Sequence, residues 1–395
     1  MDNDSNMAAI VLVLRFLIRM KAAMKPILTI VSLSLGGFCC FTALAQDGVW
    51  STSAPSISAR ALGAATTFGG KVYMVGGGNY SCGVTSALQA YDPVANAWTN
   101  LAGMPTARYE FGATELNGLL YAIAGNPGCG SAGSALRAVE AYDPVLNTWT
   151  SKAPLPTGGW DVGVAGVNGK VYAFGGFSSN VYAYDPASNT WATKSPLPQP
   201  YSSGAAVVFN GIVYLIGGNP GNRAVVQAYN PVSDTWAIKA SMPTPRYYCA
   251  GAALNGLIYV AGGYTSTGAV ATVEAYNPAT DAWTAVAPLP FRLWTASAAA
   301  VNGKLLVMGG FDTGNATLGS VEVFTPNTAI VGIAMYAGLT VAGPPGSTNL
   351  IEYKTDLAAT NWNALGTVVL PAGPSLFIDP NPANSVKRFY RAVRQ

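Results

Sequence analysis

The chain has 395 residues, with 45 Gly, 26 Pro, 9 Trp, 10% charged residues and no histidine. Half of it is apolar, enough for a sizeable core and for two or three domains. The missing histidine excludes a Ser-His-Asp triad, an imidazole base and His-ligated zinc, copper or haem, and a net charge of +3 without a basic stripe speaks against a nucleic-acid partner.

Residues 1–45 read as a signal peptide. Lys25 precedes an apolar run from Ile27 to Phe41, and Ala43-Leu44-Ala45 places small residues before Gln46, so cleavage is expected after Ala45. Met24-Lys25 would itself make a conventional start, which leaves residues 1–23 as an over-long n-region. An uncleaved anchor is the competing reading, but the expectation is an exported chain (periplasmic, cell-surface or extracellular) with no stable membrane span. Cys39 and Cys40 suggest lipidation, yet Phe38 stands where a small residue should precede the modified cysteine. The mature chain keeps 17 basic and 16 acidic residues, and three cysteines: Cys82, Cys129 and Cys249.

From residue 46 the sequence repeats six times. Gly76-Gly77, Ala124-Gly125, Gly175-Gly176, Gly217-Gly218, Gly262-Gly263 and Gly309-Gly310 align, and so do Trp50, Trp98, Trp149, Trp191, Trp236 and Trp283. Each tryptophan lies 27 residues before the second residue of the next dipeptide, and Tyr91, Tyr142, Tyr184, Tyr229 and Tyr276 each lie 7 before a tryptophan. All variation in period falls between the glycine pair and the tyrosine, as one elastic loop on a rigid unit requires. Each unit predicts four strands: a small apolar one, an Asn-Gly turn, an alternating one ending at the glycine pair, one ending Ala-Tyr-Asp/Asn-Pro, and one carrying the tryptophan.

This pattern resembles the kelch family of β-propellers, whose repeat combines a Gly-Gly pair with a spaced Tyr and Trp. The expected fold is all-β: a six-bladed kelch propeller over 46–328 with a small β-sandwich-like module over 329–395. Ala124 departs from the glycine pair, and Leu306 and Phe324 from the tyrosines. The sixth unit lacks a tryptophan strand while the chain starts with a lone one at Trp50, so the N-terminal strand should close the ring.

In such a propeller, the loops before the first strands and after the second strands share one face around the central channel. That face is expected to offer Arg60, Arg108, Tyr109, Trp160, Tyr201, Arg246, Tyr247, Tyr248, Arg292 and Trp294 as ligand-binding residues, because aromatics beside arginines suit sugars, peptides or anions. The same side chains could instead only cover loop ends. Glu110 and Asp161 fall at equivalent positions in successive units and are the candidate pair for acid/base catalysis. They could equally pair with Arg108 or a backbone amide. The acids and amides that recur two residues before the third-strand aromatic (Gln89, Glu140, Gln227, Glu274, Glu322) read as scaffold. Cys82 and Cys129 follow their glycine pairs closely in neighbouring loops and are expected to form a disulfide; Cys249 reads as a small buried hydrophobe.

The resemblance implies two enzymatic relatives. Copper oxidases of the galactose oxidase kind need histidine ligands that this chain lacks, whereas sialic-acid epimerases of the kelch type use no metal. Neither a metal site nor another cofactor is expected. The tail, with apolar runs at Leu350 to Tyr353, Leu365 to Leu370 and Phe389 to Val393, predicts short strands and resembles C-terminal segments of secreted environmental-bacterial proteins. The expected function is an exported, monomeric binding scaffold for a carbohydrate or an extracellular protein. The alternative is a metal-free carbohydrate epimerase or mutarotase.

Overall fold

A computed structural model describes residues 48–128, 135–219 and 224–326, together with the strand backbones of 338–341, 348–354, 363–369, 375–378 and 389–394. The predicted leader and Cys129 lie outside the described residues.

Six four-stranded antiparallel sheets form the blades. Blade 1 consists of Ala64–Phe68, Lys71–Val75, Leu88–Asp92 and Ala97–Leu101. Blades 2 to 5 begin with Gly112–Leu116, Val162–Val167, Ala205–Phe209 and Ala250–Leu254. Blade 6 takes Ser297–Val301, Lys304–Met308 and Val321–Pro326 from its own repeat and Gly48–Thr52 from the chain start, in the register Trp50 opposite Phe324. The N-terminal strand thus closes the ring.

The turns between first and second strands have positive φ at both central residues, as at Asn117 (53°) and Gly118 (82°). That is the twist a two-residue hairpin needs, and Asn-Gly adopts it at least cost. The first strands neighbour one another around the channel. A methyl carbon on Gly112 would stand 2.1 Å from the Val164 side chain of blade 3, so glycine is needed at this point where the two first strands converge.

Each pair of neighbouring blades encloses one apolar cluster, six among the described residues, and together they close the ring. Aromatic residues of these same clusters also carry polar clasps between the blades. Trp149 Nε1 donates to Ala102 O of the preceding blade at 2.7 Å, and Trp50, Trp98, Trp191, Trp236 and Trp283 make the same bond. Opposite Trp149 in register, the Tyr142 hydroxyl donates to Asn147 Oδ1, which also accepts the Ala102 amide of the blade before. Four further seams repeat this relay at Asn96, Asn189, Asp234 and Asp281. The seam between blades 5 and 6 lacks it. Phe324 has no hydroxyl, and Gly48 replaces the Asn or Asp because a Cβ there would collide with the Phe324 ring. The repeated Tyr and Trp are therefore inter-blade fasteners.

The tail strands form two small sheets of their own. Gly338–Val341 pairs with Ser375–Ile378, and Thr348–Lys354 lies between Asn363–Val369 and Phe389–Arg394. The predicted runs Leu350 to Tyr353 and Phe389 to Val393 fall in these strands, as does the third from Leu365 to Val369, while Leu370 lies outside the described residues. No helix of the described residues is long and apolar enough to cross a membrane.

Candidate functional site

Fourteen residues before each glycine pair stands one residue per blade: Leu62, Glu110, Asp161, Ser203, Tyr248 and Thr295. All six have φ between 52° and 57°, although none is glycine and Thr295 is β-branched. Left-handed backbone costs such residues about 1–2 kcal/mol each, and clustered strain of this kind marks functional sites. Its geometric reason is a closed hydrogen-bonded ring. Glu110 N donates to Leu62 O, Asp161 N to Glu110 O, Ser203 N to Asp161 O, Tyr248 N to Ser203 O, Thr295 N to Tyr248 O and Leu62 N to Thr295 O, at 2.5–3.2 Å. One bond per seam binds the six blades around the axis.

These six residues line a central cup of about 110 Å³, which Cys249 also touches. Ser203 Oγ donates to Asp161 Oδ2 at 2.7 Å. The Tyr248 hydroxyl of blade 5 reaches across the ring to within 3.4 Å of both Glu110 Oε1 and Asp161 Oδ2, and Asn126 Nδ2 lies 3.5 Å from Glu110 Oε2. No lysine or arginine among the described residues pairs with either acid. Burial, then the neighbouring Glu110 charge, pushes the Asp161 carboxyl well above the usual carboxylate range. Burial raises Glu110 too, against the opposing hydrogen bonds from Asn126 and Tyr248. Burial first, then the two acids, raises the Tyr248 phenol. The pair therefore favours a shared proton over two full charges.

Blades 5 and 6 supply an aromatic wall to the mouth. Tyr248 contacts Tyr247 and Trp294 at centroid distances of 5.0 and 5.7 Å, and Trp294 contacts Tyr264 at 5.2 Å and Phe311 at 5.0 Å. Exposed Tyr80 of blade 1 extends the wall edge-on to Phe311. Trp160, half-buried, forms a separate T-shaped pair with Phe177 on blade 3.

The predicted residues therefore divide. Glu110, Asp161 and Tyr248 meet in the cup, with Tyr247 and Trp294 beside it. The arginines do not reach it. Arg60, Arg108 and Arg246 are at most 1% exposed and point into their blades. Arg108 pairs with Glu140 at 3.0 Å and Arg246 with Glu274 at 2.5 Å, each also donating to a second-strand carbonyl. Blade 1 has Gln89 at the repeat position where the other two have Glu; Arg60 donates to Ala87 O and Ser58 instead, and burial draws its pKa down to about 10. Tyr201 and Tyr109 are buried as well, and Arg292 is exposed but does not line the cup. The expectation that all ten residues form one binding face is corrected accordingly: the arginine column sits one turn too deep, inside the blades.

Leu62, Ser203 and Thr295 are the lining residues that the repeat reading missed. The signal was present, since they share a repeat position with Glu110 and Asp161. Cys82 is disulfide-bonded, and Cys249 is a buried free thiol. The site of a Cβ on Gly128, the residue before Cys129, lies 3.4 Å from the Cys82 carbonyl. Among the described residues no group of three His, Cys, Asp or Glu could hold a metal ion.

The fold and the repeat grammar have counterparts among known proteins. Residues 162–330 match the family described as KLHDC2/KLHL20/DRC7 Kelch-repeats domain, and residues 59–105 and 107–156 match the Kelch motif. Kelch-like protein 25 of Xenopus tropicalis is 36% identical over 119 residues, 29% of this chain and 20% of that protein. Kelch-like ECH-associated protein 1A of Danio rerio is 33% identical over 111 residues, 28% of this chain and 18% of that protein. The match thus spans about a fifth of these relatives. The solved structure of YjhT superposes with a TM-score of 0.62 at 18% identity, over 70% of this chain and 97% of that one, a likeness of fold. Six aligned repeats, their Tyr and Trp fasteners and a ring closed by the N-terminal strand place this chain in the kelch-repeat family of β-propellers.

Proposed function

We propose that this propeller is an exported binding protein that holds a carbohydrate over its central cup. Kelch propellers are interaction scaffolds, and the observation that carries the ligand class is the aromatic wall of Trp294, Tyr264 and Phe311 beside the cup, from which Tyr248 reaches in to Glu110 and Asp161. Aromatic faces stack on the apolar face of a sugar ring, while carboxylates accept its hydroxyls. The amides and carbonyls of the six ring residues are already paired with one another, so none of these is left for an extended peptide main chain. Among the described residues no cation pairs with either acid of the cup, which disfavours an acidic sugar.

A thermal-shift screen of neutral and charged oligosaccharides, repeated on Trp294→Ala, tests this reading. At least one sugar should raise the melting temperature of the wild type, with affinity at least tenfold lower in the variant. If no sugar shifts the wild type, or if Trp294→Ala binds undiminished, the reading is wrong.

A second reading rests on the contact of Tyr248 with both acids. A protonated carboxyl beside an ionised one can serve general acid/base chemistry, as a metal-free epimerase or mutarotase would need. NMR exchange between anomers or epimers that Glu110→Gln abolishes would establish it over simple binding.

A further inference from the structure

The cup holds two acids, no cation from the described part of the chain, and the buried hydroxyl of Ser203. Ser203, 7% exposed, already serves Asp161. At about 110 Å³ the cup is well below the roughly 300 Å³ of an ordinary small-molecule pocket, so it admits one functional group of a ligand and leaves the rest at the mouth.

We infer that this group is a protonated primary amine, and that the carbohydrate is an amino sugar whose ammonium sits between Glu110 and Asp161 while its ring rests against Trp294. The inference builds on the carbohydrate reading above. An ammonium offers three donors to the Glu110 Oε1 and Asp161 Oδ2 acceptors, the two oxygens toward which the Tyr248 hydroxyl already donates at 3.4 Å. It also supplies a counter-charge that no described residue gives the acids, and its approach to an electron-rich aromatic wall adds cation–π attraction. A neutral hydroxyl would leave the two acids to share a proton, and an N-acetyl group would bring bulk and a carbonyl dipole against them.

Isothermal titration of the full mature chain with glucosamine, N-acetylglucosamine and glucose oligosaccharides of equal length tests the inference. The glucosamine oligomer should bind at least tenfold tighter than the other two, and Glu110→Gln with Asp161→Asn should bring its affinity down to theirs. Equal wild-type affinity for the three would overturn the amine assignment while leaving carbohydrate binding intact. So would a preference that survives the double substitution. Failure of the carbohydrate reading gives a different result: none of the three binds. A lysine-rich peptide that bound the wild type and lost affinity in the double variant, with no sugar binding, would overturn the sugar and assign the cup to a protein partner. The wild-type selectivity needs no variant to fold.

Discussion

The Asp161 amide donates to the Glu110 carbonyl at 2.6 Å, so the main chain itself holds two acids of adjacent blades side by side. Neither side chain chose its neighbour through an ion pair. The ring of backbone bonds places them together, and the electrostatic cost follows from that placement.

The cost has a sign. The Asp161 carboxyl titrates higher folded than unfolded, so the folded state binds the extra proton, and the stability this brings is present below the unfolded carboxylate range and lost as pH rises through the folded value. Asp161→Asn should therefore melt higher than the wild type at pH 8, with the gain shrinking toward pH 3. Thermal unfolding across that range checks it. Such a trade of stability for a charged cup is what a binding site built on strain would show.

The fasteners can be weighed one at a time. Asn147→Ala removes the acceptor for both the Tyr142 hydroxyl and the Ala102 amide, and forces alanine into a left-handed position at φ 53°. Chemical denaturation should report a loss of about 2–3 kcal/mol. In hydrogen exchange the amides of Gly48–Thr52 should open before those of Thr148–Ser151, because the seam between blades 5 and 6 lacks this relay.

Arg60 is a buried guanidinium whose blade has an amide at the repeat position where blades 2 and 5 have a carboxylate. Gln89→Glu should create the missing ion pair and raise stability by about 1–3 kcal/mol, whereas Glu140→Gln, which strands Arg108, should cost about 3–5 kcal/mol. Paired denaturation curves of the two variants decide this.

Non-reducing peptide mapping should find Cys82 joined to Cys129 and Cys249 alkylated only after unfolding. Cys82 and Cys129 both alkylated in the native protein would refute the pairing.

Much of the architecture was legible because the repeats are compared within one chain. The invariant spacing from Trp98 to Gly125 marked the rigid part of a blade, and the lone strand at Trp50 marked the closure. The fate of the arginines was not legible from spacing alone, since Arg108 and Tyr109 are neighbours in sequence yet Arg108 turns into the blade toward Glu140. A second comparison could have revealed it: where a repeat has Arg at the position of Arg108, it has Glu or Gln at the position of Glu140. Tyr248 was read as a mouth residue, but its contact with the acids was hidden for a different reason. Tyr248 acts on Glu110 from the opposite side of the ring, 138 residues away, and no local pattern encodes a contact across a closed ring.

The position of a bound oligosaccharide in a crystal structure of the complex tests the central cup most directly. A sugar ring should lie on Trp294 and Tyr248 with a polar substituent between Glu110 and Asp161. A sugar seated on the outer rim or on the Asn-Gly turn face, with the cup untouched, would contradict it.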